Sequence, residues 1–285
     1  MLSILIPVYN YNAQPLVNEL VKQCNNSGIT FEILCQDDAS NSQLNILNQE
    51  INLLPNCSFF INEINLGRGK NTNSLAQKAK QDWLLILDCD TFPADSNFIQ
   101  KYFDVASYSS KNILFGGIIY EDKKPDKEQL LRWIYGRKRE TSTILTSNLW
   151  IKKEVFLKHP FDDSITKYGY EDLRFFSVLK ENNFKILRIQ NPTYHLNLET
   201  SEVFLNKTKT AVENLVFLYN SNKVSVQDSK ILKVFELLKN LKLIRFSAFL
   251  FNKYQIKIKR NLLSENPSLF LFDLYKLGYF LSFQK

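Results

Sequence analysis

Residues 84–90, Leu84-Leu85-Ile86-Leu87-Asp88-Cys89-Asp90, place four apolar side chains directly before two carboxylates that a single residue separates. The apolar run predicts a buried β-strand, and alternation along an extended chain points both carboxylates the same way, about 6–7 Å apart. Two anions this close repel each other unless a cation or hydrogen-bond donors lie between them. Oxygen ligands with open coordination positions suit Mg²⁺ or Mn²⁺ bridging to a diphosphate. Asp-x-Asp is common by chance, so the surrounding sequence must decide whether this tripeptide is a metal-binding motif.

Short apolar runs alternate with helically spaced apolar residues through the first two hundred positions. This alternation predicts an α/β fold with a mostly parallel sheet and helices on both faces. The predicted strands cover residues 3–8, 31–35, 58–61, 83–87, 113–119 and 185–190. The predicted helices cover residues 13–24, 43–52, 68–80 and 96–106.

Polar residues follow four of the predicted strands at the point where each strand ends. They are Tyr9-Asn10, Asp37-Asp38, residues 65–70 and residues 88–90. In such sheets ligands bind beyond the carboxyl ends of the strands. The four clusters therefore predict one site along one rim of the sheet.

The composition is that of a globular protein. Of 285 residues, 45% are hydrophobic and 13% aromatic, which excludes a disordered chain. The apolar start lacks a basic leader and no apolar stretch is long enough to span a membrane, so we expect a cytoplasmic protein. Four cysteines show no paired CxxC spacing and predict reduced thiols: Cys24, Cys35, Cys57 and Cys89.

The positive charge lies at the carboxyl end. Of the net charge of +7, residues 229–285 carry +8, from 11 Lys or Arg against 3 Asp or Glu. Helical patterns at 209–219 and 229–243 predict a helical region over 201–285 that follows a catalytic domain over 1–200. The basic region suits the inner face of a membrane or a polyanionic substrate, or it is a solvated helix face. A late aromatic cluster fits a membrane interface or internal packing: Phe270, Phe272, Tyr275, Tyr279, Phe280 and Phe283.

Five segments, in order, carry a family resemblance: SILIPVYN (3–10), QDDAS (36–40), NLGRGKNTN (65–73), DCD (88–90) and YGYEDLRFF (168–176). Together they resemble the family-2 inverting glycosyltransferases of the GT-A fold, over roughly residues 1–200. Residues 147–187 also resemble the carboxyl-terminal part of galactosyltransferase-type and chondroitin-polymerase-type catalytic domains. The resemblance implies a UDP-sugar donor and Mn²⁺ or Mg²⁺. A saccharide or lipid-linked acceptor in surface polysaccharide synthesis fits a cytoplasmic enzyme with a basic, aromatic tail.

The resemblance also assigns donor-binding residues. Pro7 and Tyr9 would lie at the nucleotide base, Asp38 would hydrogen-bond uracil, and Arg68 would lie near the base or the diphosphate. Asp88 would face the ribose and sugar. Two simpler interpretations stay open, with Tyr9 as a core aromatic and Asp38 as a helix cap for the residues that follow it.

Three further residues complete the implied site. By the resemblance, Asp172 is the general base that deprotonates the acceptor hydroxyl, and Glu171 binds a sugar. His195 would join Asp90 on the metal. The alternatives are that the two acids only complement a helix dipole, and that His195 is structural.

Residues 132–139, RWIYGRKR, predict a basic loop with interleaved aromatics. Its Arg137 and Arg139 are candidate donors to a diphosphate or an anionic acceptor, whereas the many carboxylates elsewhere argue against nucleic acid as a partner. Two rival functions are a nucleotidyltransferase, whose Gly-rich basic signature does not occur at residues 7–10, and a non-catalytic glycan- or membrane-binding protein. The sequence names neither the sugar nor the acceptor.

Overall fold

A computed structural model describes residues 1–284 and shows two compact units. The first unit contains residues 1–121, 139–166 and 178–197. The second contains residues 122–138, 167–177 and the described chain from Leu198 onward. Lys285, the last residue of the predicted basic region, lies outside the described residues. The domain division predicted at residue 200 stays a prediction.

The first unit is built on a seven-stranded sheet. Its strands in chain order are β1 (Leu2–Val8), β2 (Phe31–Asp37), β3 (Cys57–Ile61), β4 (Trp83–Leu87), β6 (Ile113–Phe115), β8 (Asn148–Lys152) and β9 (Leu187–Arg188). Their spatial order is β3-β2-β1-β4-β8-β6-β9, and only β8 runs antiparallel to its neighbours. All seven residues of β1 are buried, as expected for a strand covered on both faces. The predicted mostly parallel sheet is confirmed.

A second, three-stranded sheet lies in the same unit. It contains β5 (Thr91–Pro93), β7 (Ile118–Ile119) and β10 (Thr193–His195), with β10 in the middle. The register places His195 opposite Thr91, the residue that follows Asp90. This sheet therefore brings a distant part of the chain to the end of the Asp-Cys-Asp segment.

The helices in chain order are α1 (Gln14–Asn26), α2 (Asn45–Asn48), α3 (Arg68–Lys78), α4 (Phe98–Tyr108), α5 (Leu130–Arg139), α6 (Lys153–Lys158), α7 (Glu171–Glu181), α8 (Ser201–Asn220), α9 (Lys230–Asn240), α10 (Ile244–Leu262) and α11 (Leu269–Phe283). In the first unit α1 and α4 pack on one face of the large sheet, and α3 packs against β1 and β2. All four cysteines are free thiols.

Three local predictions were wrong. The strand expected over 113–119 is broken into β6 and β7 by Gly116-Gly117, and Gly117 has a φ of +94° that few other residues adopt. The helix expected over 43–52 is only the short α2 followed by a 3-10 turn over Gln49–Leu53. The basic loop expected over 132–139 is the helix α5, because its apolar residues have helical spacing.

Helices α8 to α11 form most of the second unit. Aromatic and aliphatic side chains of α8, α10 and α11 make its core, and Gly278 of α11 lies so close to Phe251 of α10 that an added Cβ would be 2.1 Å from that ring. Phe272, Tyr275 and Phe280 are buried. These three of the six late aromatic residues therefore serve in internal packing, whereas Phe270 is 69% exposed, and the interpretation of the cluster as a membrane interface stays a prediction. No helix of residues 1–284 has both the length and the apolar character needed to cross a membrane.

Candidate active site

Arg68 and Asp88 are paired at the carboxyl edge of the large sheet. Arg68 is the first residue of α3, and its Nε and Nη2 lie 3.0 and 2.6 Å from Oδ1 of Asp88. Its Nη1 donates to Oγ1 of Thr146 at 2.8 Å. Two residues that were predicted to contact the donor, and that lie in separate sequence segments, are thus brought together. Thr146 is an anchor for Arg68 that the sequence did not indicate.

Asp38 supports the loop that leads into Arg68. Its carboxylate accepts from the backbone N–H groups of Leu66 and Gly67, each at 2.8 Å, and from Nδ2 of Asn62 at 2.9 Å. The side chain is only 4% exposed. Charge-assisted hydrogen bonds of this kind are strong, so Asp38 fixes the backbone just before α3.

No side chain caps the short helix α2 that follows Asp38, and the turn before it is held by Asp37. Asp37, the last residue of β2, accepts from the backbone N–H and the hydroxyl of Ser40 at 2.9 and 2.6 Å. Asp38 makes no such contact with the residues that follow it. The interpretation of Asp38 as only a cap for this segment was therefore wrong.

Asn62 belongs to a buried amide network that the sequence analysis missed. Nε2 of Gln36 donates to Asn62 and Asn71 at 2.7 and 2.9 Å, and Nδ2 of Asn62 donates to Asn71 at 3.0 Å. This network ties β2, the end of β3 and α3 together. Its only sequence signal was a polar residue one position beyond the predicted strand over 58–61.

Asp90 and His195 face each other beyond β4. Nε2 of His195 lies 3.6 Å from Oδ2 of Asp90, with side-chain exposures of 13% and 22%. The backbone N–H of Leu196 donates to the carbonyl of Asp90 at 2.8 Å. The pair depends on the small sheet, since the two residues are more than one hundred positions apart in the chain.

The ring of Tyr120 packs against the imidazole of His195. Its ring stacks on His195 with centroids 5.4 Å apart and an interplanar angle of 23°. Its hydroxyl donates to the carboxylate of Glu140. A ring held by stacking has little rotational freedom, so Tyr120 fixes the orientation of His195.

Negative charge and burial set the protonation of the neighbouring groups. Burial raises the pKa of the Cys89 thiol, and the charges of Asp90 and Asp88 raise it further. Burial also raises the pKa of Tyr11, with a second contribution from Asp90. Both groups are therefore neutral near pH 7.

The donor set suits a divalent cation that binds a ligand at the same time. Asp90 offers a carboxylate oxygen and His195 an imidazole nitrogen, which Mn²⁺ accepts. Within residues 1–284, no three His, Cys, Asp or Glu side chains are grouped as a closed metal cage. Two protein ligands leave coordination positions for diphosphate oxygens, so the residues fit an open site.

Tyr9 and Pro7 differ in exposure. Tyr9 follows β1 and is 59% exposed, so the interpretation of Tyr9 as a core aromatic was wrong. Pro7 lies within β1, opposite Gln36 of β2, and is buried. An exposed ring at the carboxyl edge of the sheet is free to stack on a planar ligand.

A family model described as glycosyl transferase family 2 matches residues 3–162, more than half of the chain. The chain belongs to glycosyl transferase family 2. This confirms the resemblance drawn from the sequence segments and makes the protein a glycosyltransferase. It sets aside the nucleotidyltransferase and the non-catalytic binding protein, whereas the resemblance of residues 147–187 to one subtype stays a prediction.

Relatives and solved structures agree with the family. An uncharacterized glycosyltransferase of Haemophilus influenzae is 24% identical over 241 residues, covering 80% of this chain and 92% of that protein. S. aureus TarS 1–349, solved in complex with UDP-GlcNAc, has a TM-score of 0.51 at 17% identity, covering 99% of this chain and 90% of that chain. This chain also matches 39% of a longer TarS chain.

A third likeness is to a mannosyltransferase. The mannosyltransferase PcManGT of Pyrobaculum calidifontis, solved with GDP-Man and Mn²⁺, has a TM-score of 0.55 at 12% identity, covering 77% of this chain and 64% of that chain. Together these likenesses show that the glycosyltransferase has the predicted GT-A fold.

Glu171 and Asp172 belong to the second unit of this glycosyltransferase. They form the first turn of α7, after Gly169 with a φ of +101° and Tyr170 with a φ of +65°. An added Cβ on Gly169 would be 2.3 Å from Cβ of Ala211, so only glycine fits against α8 there. The two acids are half-buried at a helix start, which is compatible with either predicted role.

Arg137 and Arg139 lie at the end of α5. Arg137 stacks on Trp133 with its guanidinium 4.9 Å from the ring centroid, and its Nη2 lies 2.7 Å from Oδ1 of Asp122. The carbonyl of Arg139 accepts from Ser142 and Thr143. Both guanidinium groups are thus presented from a helix rather than from the predicted loop.

Proposed function

We propose that this glycosyltransferase moves a sugar from a UDP-sugar to a hydroxyl of a saccharide or lipid-linked acceptor, with inversion at the anomeric carbon. The observation that carries the proposal is the pairing of Asp90 with His195 at the same sheet edge as Arg68 with Asp88. Two fold neighbours, solved with UDP-GlcNAc and with GDP-Man and Mn²⁺, support a nucleotide-sugar donor.

Each donor-binding residue has a physical reason for its role. Tyr9 stacks on the uracil, beside the end of β1 that Pro7 stiffens. Asp38 accepts a hydrogen bond from the uracil, and its contacts with Leu66 and Gly67 also hold the loop before α3. When the donor binds, Arg68 gives up part of its contact with Asp88 and donates to the donor instead. Asp88 then accepts hydrogen bonds from hydroxyls of the ribose and sugar. Arg137 and Arg139 supply further positive charge to the diphosphate or to an anionic acceptor.

Asp90 and His195 would hold Mn²⁺ or Mg²⁺ together with the diphosphate. When bound, the cation offsets the negative charge that develops on the leaving diphosphate. Nε2 of His195 must carry no proton to bind a metal, because the metal takes its lone pair. The stacked ring of Tyr120 keeps this nitrogen directed at Asp90.

Asp172 acts as the general base. Its carboxylate removes the proton of the acceptor hydroxyl while that oxygen bonds to the anomeric carbon, and UDP departs from the opposite face with its bonding electron pair. One bond to carbon forms as one breaks, so no covalent enzyme intermediate is needed and the configuration inverts. Glu171 binds a hydroxyl of the donor or acceptor sugar.

We further propose that the acceptor belongs to surface polysaccharide or glycan synthesis, at the cytoplasmic side of a membrane. The test is to incubate the protein with UDP-sugars and GDP-Man, with Mn²⁺ or with EDTA, and to follow release of the nucleoside diphosphate. We expect one UDP-sugar to be consumed only with Mn²⁺, and NMR to show a product of inverted anomeric configuration. Full turnover in EDTA or retained configuration would contradict the proposal.

A further inference from the structure

Residues 237–264, which cover the end of α9, the following turn and nearly all of α10, contain seven Lys or Arg and no Asp or Glu. Two of the seven are paired with acids of the second unit, namely Lys239 with Glu236 at 3.3 Å and Lys259 with Glu202 at 3.0 Å. The other five form no ion pair with an acid of the described chain: Lys242, Arg245, Lys253, Lys257 and Arg260. The segment therefore presents a concentrated positive charge.

The same segment exposes large apolar side chains. Phe246 and Phe249 are 58% and 61% exposed, and Ile256 is 71% exposed. Leu237, Leu241 and Leu243 are exposed as well, at the end of α9 and in the turn. We call the exposed apolar and basic side chains of residues 237–260 the α10 surface.

The two faces of α10 are clearly different. Phe251, Ile258 and Leu262 share the face that is buried in the core of the second unit. At 100° per residue, Phe249, Lys253 and Arg260 lie on the opposite face. The outward face thus begins with aromatic residues and continues with lysine and arginine, an order that internal packing does not require.

We propose that the α10 surface binds an anionic membrane. Basic residues beside exposed aromatic and aliphatic side chains are typical of helices that lie in the plane of a lipid interface. The chemistry favours lipid over a protein partner because the cores of protein interfaces are depleted of lysine. The proposal is independent of the sugar-transfer reaction, since membrane binding requires neither donor nor metal.

Tyr254 shows how the two kinds of side chain cooperate. The ammonium groups of Lys253 and Lys257 lie 5.6 and 5.8 Å from its ring centroid. The aromatic ring therefore lies near two cations at the helix surface, where a lipid phosphate and the acyl boundary would meet them together. Such an amphipathic ring is suited to the headgroup region.

The experiment uses the full-length protein and vesicles of phosphatidylcholine with or without phosphatidylglycerol. Co-sedimentation should be strong only with phosphatidylglycerol and should weaken at about 1 M salt, where the Debye length falls to about 3 Å. The triple change K253Q/K257Q/R260Q should weaken binding roughly 100-fold, since each charge near an anionic surface contributes about a fivefold factor. The change F246S/F249S should weaken it at least about tenfold.

Two control variants match the changes in charge and in apolar area. K80Q/K123Q/K124Q removes three exposed lysines from elsewhere, and L53S/Y108S removes two side chains that are 84% and 76% exposed. Both controls should bind vesicles like the original protein. Equal loss in the controls, or no binding to phosphatidylglycerol vesicles, would overturn the proposal. So would a finding that F246S/F249S converts an oligomer into a monomer while vesicle binding is unchanged, because a second copy would then cover the surface.

Discussion

Arg68 donates to one oxygen of Asp88 through two nitrogens, Nε at 3.0 Å and Nη2 at 2.6 Å, although twenty positions separate the two residues. Asp90, the other carboxylate of the Asp88-Cys89-Asp90 segment, lies 3.6 Å from Nε2 of His195. Each acid of the segment therefore has a basic neighbour before any donor binds. This division supports the different roles proposed for them.

Replacing Arg68 with alanine should weaken UDP binding roughly 10- to 150-fold, because a charge-assisted hydrogen bond contributes about 1.5–3 kcal/mol. The UDP affinity of Arg68→Lys should lie between those of the original protein and Arg68→Ala, since an ammonium keeps the charge but not the forked geometry. The free energy of unfolding should change by at most about 1 kcal/mol, as expected for a partly exposed ion pair. Calorimetric titration with UDP measures the first effect, and unchanged affinity would exclude Arg68 from the donor site.

Asp90→Asn and His195→Gln should each weaken Mn²⁺ binding by more than the roughly 10–100-fold that follows loss of a supporting residue. The reason is that each change removes a ligand atom itself. Free Mn²⁺ measured by electron paramagnetic resonance reports binding without relying on turnover. Asp104→Asn, a change of an exposed carboxylate on α4, should leave the Mn²⁺ affinity unaltered. If both site variants bind Mn²⁺ normally, the proposed cation site is wrong.

Asp172→Asn should lower kcat by a factor of about 10²–10⁴ while the dissociation constant of the donor stays nearly constant. An amide keeps the shape of the side chain but cannot accept the proton of the acceptor hydroxyl. Glu128→Gln, which neutralises an exposed acid of the second unit, should turn over normally. A large loss of donor affinity in Asp172→Asn would argue for a binding role instead of a base.

Asp38→Asn should lower the free energy of unfolding by about 1.5–3 kcal/mol, because one of the N–H groups of Leu66 and Gly67 loses a charged acceptor in a buried place. Donor binding should weaken as well, since the loop before Arg68 loosens. Chemical denaturation with and without UDP measures both effects. Unchanged stability would mean that the loop does not depend on this carboxylate.

Tyr9→Ala should leave the melting temperature unchanged, since the ring is largely exposed. Its donor affinity should fall roughly two- to tenfold, as expected from loss of an aromatic stacking contact of about 0.5–1.5 kcal/mol. Tyr108→Ala is a matched control, because that ring is also exposed and lies on α4. Equal affinity of the two variants for UDP would show that Tyr9 does not contact the base.

The sequence predicted the large sheet well and its smaller companion poorly. Strands β1, β2, β3 and β4 are five to seven residues long and mostly apolar, and such runs mark buried strands regardless of what surrounds them. Strands β5 and β10 of the smaller sheet have only three residues each and were not predicted. They exist because a neighbouring strand offers unpaired backbone groups, which local sequence does not record.

The site likewise contains residues that the sequence predicted and contacts that it did not. The carboxylates and Tyr9 were predictable because each follows a strand at the edge where ligands bind. The contacts that hold them were not, since Asn62 and Thr146 are ordinary polar residues whose role depends on what they meet. The loop predicted for RWIYGRKR is a helix, because the helical spacing of its apolar residues decides the local structure and its basic character does not.

By itself the sequence determined the family, the GT-A core and the acidic residues at the sheet edge, because buried strands and the polar residues after them are local properties of the chain. Only the tertiary structure decided which side chains meet. It pairs Arg68 with Asp88 and His195 with Asp90. It buried Phe272, Tyr275 and Phe280 while exposing Phe246 and Phe249 of α10, because hydrophobic burial is settled by which helix faces pack together and not by how apolar each helix is.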